Sequence, residues 1–183
     1  MIYQLSLKAA GIGTGLFLLL LSLASLVQGE TIRGLATKFP RSRFAGIALL
    51  TLAFLWSFWL LATMEMGEFS NFRRPLMFFL PVGFFLVLWF VDEFLAVRAL
   101  GMLCLLAAEP LLDAAFLRHE NSRLLVTVFA YILIVLGLLW VTMPYLLRDH
   151  ISWAIRNTTR WVGVHIVALL YGAAILVFAL TQY

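Results

Sequence analysis

Charge is what this chain has least of. Asp, Glu, Lys and Arg make up 12% of its 183 residues, about half the share found in soluble domains, where apolar residues in turn account for under half of the chain. Here they reach 64%, with a mean hydropathy of +1.03. A soluble core cannot hide that much apolar surface. The single cysteine, Cys104, excludes an intrachain disulfide, and its apolar neighbours provide no base or cation to make it a nucleophile. HExxH, CxxC and clustered His and Cys are absent, which removes the common metalloenzyme signatures. There is no GxSxG hydrolase motif, and the serines have no paired base. Repeats, low-complexity tails and room for a separate soluble domain are missing as well.

What the chain has is long apolar runs. They fall at 9–28, 44–64, 75–91, 94–116, 124–147 and 161–181, each near the length of about 20 residues that a helix needs to cross a bilayer. The expected architecture is therefore all-α: one polytopic transmembrane domain, residues 1–183, with about six spanning helices. A five-span variant, with 94–116 lying in the interface or re-entering, is the alternative. Trp56, Trp59, Trp89, Trp140, Tyr145, Trp153 and Trp161 mostly sit toward the ends of runs, where interfacial aromatics belong.

Arg33, Lys38, Arg41 and Arg43 follow the first run immediately. Cleavage of that run as a signal peptide would leave this basic cluster on the translocated side, so positive-inside counting expects an uncleaved first helix. With six spans, eight Lys and Arg (counting Arg98 at the boundary) face inward and five outward. Both termini then lie outside, and a bacterial inner membrane is the expected location. The five-span variant worsens this balance. The formal net charge of +4 is scattered over short connections, which suits anionic lipid head groups rather than nucleic acid.

Residues 91–117 break the apolar pattern. This run carries Asp92, Glu93, Arg98, Glu109 and Asp113, and an ionisable group inside a span is by default a functional hypothesis. At 100° per residue, Arg98 and Glu109 fall within about 20° of each other and Asp113 about 40° further round, so the three form one stripe. Arg98 is about 16 Å along the helix from Glu109, too far to neutralise it. Asp92, Glu93 and Arg98 read as the boundary of a tight helical hairpin. Glu109 is the deepest acid, roughly 6 Å from the run's centre. A central charge costs about 2.5–3.5 kcal/mol even on insertion scales, so Glu109 must be protonated, paired or facing a wet interior. Pro110, next to it, removes a helical hydrogen bond.

Three weaker patterns complete the reading. Gly11 and Gly15 form a GxxxG step, extended by Ser22 and Ser25 on the same side, which points to close helix packing rather than a nucleotide loop. His150 and His165 both fall toward the inner side and are candidate axial haem ligands if they share a cavity. Ile151, Ala154 and Ile155 recur at helical spacing within 148–160, as in a short interfacial helix. The nearby Asn157-Thr158-Thr159 sequon would face inward and go unused.

Three functions are expected from these patterns. The first is a non-enzymatic accessory or assembly subunit of a membrane complex, without cofactor or metal and partnered by the bilayer and by other membrane subunits. The second is a proton- or ion-coupled transporter or channel centred on Glu109. The third is a haem-bearing electron-transfer subunit or membrane enzyme.

Overall fold

The computed structural model describes residue 3 and residues 5–91, 93–120 and 122–182; Asp92 lies outside the described residues. The described chain is 88% helical and has no strands. Its helices are α1 (Leu7–Val27), α2 (Gly29–Lys38), α3 (Arg43–Thr63), α4 (Arg73–Phe90), α5 (Leu95–Ala115), α6 (Arg123–Thr142), α7 (Tyr145–Ile155) and α8 (Thr158–Thr181). Short 3-10 turns at Phe39–Arg41 and Gly67–Phe72 precede α3 and α4. Six segments are long and apolar enough to cross a membrane: α1, α3, α4 with its preceding turn, α5, α6 and α8. The remaining two helices, α2 and α7, join spans on one face of the bundle, hereafter the α2/α7 face.

Local chemistry sets several helix boundaries. Ser6 and Ser42 cap α1 and α3 by accepting from Ala9 N and Ala45 N, each at 3.2 Å. Asn157 does the same for α8, its Oδ1 accepting from Thr159 N at 2.9 Å. Such caps satisfy amides that the first helical turn leaves open. The apolar run at 124–147 does not stay one helix: α6 stops at Thr142, Pro144 stands at the N-cap of α7, and the chain restarts there. Proline cannot supply the amide that continuation would need. Where the sequence suggested only a polar connection at 29–43, α2 forms. It turns Gly29, Ile32, Arg33 and Ala36, spaced three and four apart, toward partial burial.

Helix α5 is the hub, packing against α6, α3 and α1, while α8 packs on α1. Lipid tails are as apolar as leucine, so these contacts depend on van der Waals fit, and small residues let backbones approach. A Cβ on Gly101 would stand 2.8 Å from the Gly137 carbonyl oxygen, and one on Gly137 would stand 2.9 Å from that of Gly101. The α1/α8 crossing repeats the device, since a Cβ on Gly172 would meet Leu18 Cβ at 2.7 Å and one on Gly15 would meet the Gly172 oxygen at 3.0 Å. Gly11, Gly15, Ser22 and Ser25 are all buried on α1. One apolar cluster joins α1, α5, α6 and α8 through Leu7, Leu111, Val126, Phe129 and Ile175. A smaller one joins α3 and α5 through Leu50, Leu95 and Ala99.

Helix α4 is the outlier. It buries none of its residues and is held chiefly by α3, with Phe84 against Phe54 at 4.6 Å between ring centroids. It connects to α5 through a tight turn in which Phe94 adopts φ 56°.

Candidate functional site

The stripe on α5 faces a gap between its neighbours. Buried Ala99, Ala108, Leu111 and Ala115 engage α3, α1 and α6, and the side carrying Glu109 and Asp113 is left facing a cleft between α3 and α6. The cleft has a volume of about 1040 Å³ and is lined by Trp59, Thr63 and Glu65 from the end of α3 and beyond, Leu105, Glu109, Leu112, Asp113 and Phe116 from α5 and its end, and Ile134 from α6. It lies toward the face opposite α2 and α7.

Glu109 is exposed and Asp113 half-buried. Glu65, also exposed, is a third acid that sequence reasoning missed. It falls just past the end of an apolar run, where it reads as an ordinary boundary charge, and only the packing of α3 beside α5 brings it to the other two. Among the described residues neither Glu109 nor Asp113 has a side-chain hydrogen bond or ion pair. Pro110, by contrast, is buried. Its ring packs inward while Glu109 points out into the cleft.

An aromatic wall borders the cleft. Trp59 lines it directly, and the Tyr3 ring packs on Trp59 with centroids 5.7 Å apart. The Trp56 indole N–H donates to the Tyr3 hydroxyl at 2.6 Å. Burial raises the Tyr3 phenol above its ordinary value of 10.0; the Glu109 charge pushes the same way, and the Trp56 hydrogen bond opposes both. Through Trp59, the Tyr3 ring therefore borders the cleft that Glu109 lines. A separate apolar crevice of about 590 Å³ lies among α1, α3, α5 and α6, and its lining includes Cys104 and Pro110.

The other candidate residues are elsewhere. Arg98, at the α2/α7 end of the stripe, is half-buried, and its Nε has no hydrogen-bond acceptor among the described residues. Glu93 is exposed in the α4–α5 turn. His150 is exposed on α7, and neither it nor His165 lines the cleft. His165 Nδ1 lies 2.8 Å from the Trp161 carbonyl oxygen, and its ring packs on Trp161 at 4.3 Å. Axial ligation would need Nε2 or a reorganised ring. Among the described residues, no three His, Cys, Asp or Glu side chains gather closely enough to hold a metal ion.

The fold defines the class, a helical membrane protein with six apolar spans and an acidic cleft beside its central helix. Comparison with protein families, curated proteins and solved structures finds no match.

Proposed function

We propose that the protein handles protons or small cations through the α3–α5–α6 cleft, with Glu109 as the principal acceptor. The supporting observation is that Glu109, an acid within a span, opens into the cleft with no cation or hydrogen-bond donor from the described residues of its own chain. An intramembrane carboxylate must be neutralised or solvated. No described residue supplies a compensating charge, and in this reading a proton or a cation entering the cleft does so. Glu65 and Asp113 add negative potential to the same volume and favour entry of positive charge. On the topology expected from charge bias, the cleft opens outward.

The test is flux across vesicles containing the purified full-length protein. A pH- or cation-dependent flux abolished by Glu109→Gln, with folding intact, is the expected result. Unchanged flux in that variant would exclude Glu109 as the acceptor, and absence of flux from the wild-type protein would exclude the transport reading.

A second reading, an accessory or assembly subunit, is favoured by α4. This helix buries none of its residues and exposes Phe78, Phe79, Phe85, Trp89 and Phe90. Lipid and a partner's helix satisfy such a face equally well, because neither exposes it to water. If a partner is seated there, a photo-crosslinker at Phe85 captures a defined membrane protein in native membranes. Lipid adducts alone would count against it.

A further inference from the structure

The α2/α7 face holds the chain's whole formal net charge. Its connections, α2, α7 and the start of α8 carry eight of the 13 basic residues, counting Arg98, and Glu30, Glu93 and Asp149 of the acidic ones; with Asp92, counted by its sequence position between α4 and α5, the acids are four of nine, and the remaining residues are five of each sign, which leaves the +4 on one side. Positive-inside bias alone requires only that these charges stay on one side of the membrane. The structure adds an arrangement. Helices α2 and α7 pack against each other, and α7 also packs against α8.

Two guanidiniums are held in place at this junction. Arg33, from α2, lies over the Trp161 ring at 5.4 Å, and Arg160 lies over the Trp153 ring at 5.2 Å. Trp161 is itself buried, its Nε1–H donating to the Ser25 carbonyl at 3.2 Å, so one indole ties α1, α2 and α8 together. Stacking on a ring restrains an arginine but leaves its in-plane N–H groups free to donate. The Arg33 side chain is 19% exposed, and its one ion-pair partner among the described residues is Glu30 at 3.8 Å, itself 98% exposed. Its Nε is buried without an acceptor among the described residues. Lys38, Arg41, Arg156 and Arg160 are exposed around it. Asp149 is occupied by Arg148 at 2.9 Å.

We propose that this junction binds the phosphodiester head groups of anionic phospholipids, with Arg33 and Arg160 as its ring-held donors and the exposed basic residues as its rim. The partner's chemistry follows from where the site sits. Its cations lie on the connections between apolar spans and in the first turn of α8, the region that borders lipid head groups when such helices cross a bilayer, and pre-oriented guanidiniums suit phosphate oxygens. Each basic residue near an anionic surface contributes on the order of a fivefold gain in affinity. This site is separate from the acidic cleft, and its test does not depend on flux.

The full-length protein is reconstituted in vesicles of brominated phosphatidylglycerol or brominated phosphatidylcholine mixed with their unbrominated counterparts, and tryptophan quenching reports relative binding. The wild-type protein is expected to prefer phosphatidylglycerol. The Arg33→Gln/Arg160→Gln pair should lose about fivefold of that preference per guanidinium. Arg73→Gln/Arg74→Gln, an equal charge loss on the opposite face, should lose none, and Arg33→Lys/Arg160→Lys, which keeps both charges but loses the planar fork, should fall between the wild type and the Gln pair. Equal preference for both lipids in the wild type, equal loss in the Arg73/Arg74 pair, or a Lys pair indistinguishable from the wild type would each overturn the proposal. Inorganic phosphate at matched ionic strength should leave the preference unchanged; abolition by phosphate would show a free-anion site instead. Should the Gln pair not fold, Lys38→Gln/Arg156→Gln, on exposed side chains, carries the test, and no loss there overturns the proposal.

Discussion

Glu109 and Pro110 are adjacent in sequence and opposite in environment, one exposed to a cleft and the other buried. The acid's depth and its place on a stripe with Arg98 and Asp113 follow from counting residues along a helix. Its surroundings do not, because they depend on Trp59 from α3, on Glu65 just beyond that helix and on Ile134 from α6. Tyr3 reports on the acid's charge from outside the spans. Replacing Glu109 with Gln removes one of the two causes that raise the Tyr3 phenol, so its titration should move down yet stay above 10.0, because burial is the larger cause. The ionisation difference spectrum between otherwise identical Tyr3 and Tyr3→Phe proteins measures this; an unmoved titration would mean that Glu109 is neutral or distant from Tyr3. The sign for stability follows. A phenol held above its unfolded value supports the fold fully below about pH 10, and that support is lost as pH rises through the folded value.

At the scale of elements, five of the six apolar runs end within three residues of the helices they announced, because length and apolarity alone decide what can cross a bilayer. The exception, 124–147, failed at Pro144: hydropathy does not register a missing amide, and α7 turns away where the run continues. The amphipathic α2 was illegible for a related reason, since its apolar positions are few and its polar ones dominate the count. Helix contacts rest on glycines whose importance spacing only partly revealed. Gly11 and Gly15 stand out as a GxxxG step; Gly101 and Gly137 do not, because their partners are on each other's helices. Gly101→Ala should destabilise the protein by about 1–3 kcal/mol, the usual cost of overpacking against backbone. Gly163→Ala, at a position where an added Cβ meets nothing within 4 Å, should be neutral or slightly stabilising. Thermal unfolding in matched detergent compares the two, and equal stabilities would mean that the α5/α6 crossing is looser than described.

At the scale of the whole molecule, the sequence by itself determined the solvent and the element count. An apolar fraction of 64% with 12% charge has no soluble solution, and in lipid every backbone polar group must be paired internally, which leaves helices for runs of this length. It also determined which connections hold the excess of cations, and from that the bias in orientation. Tertiary structure alone decided what the sparse polar groups meet. It made α5 the hub, brought Glu65 to Glu109 and Asp113, laid Arg33 over Trp161, and left α4 with no buried residue. The physical reason is that hydropathy and helical period describe each helix against a uniform medium. A site is made by side chains from different helices, and close packing at a few glycines sets which of those faces meet.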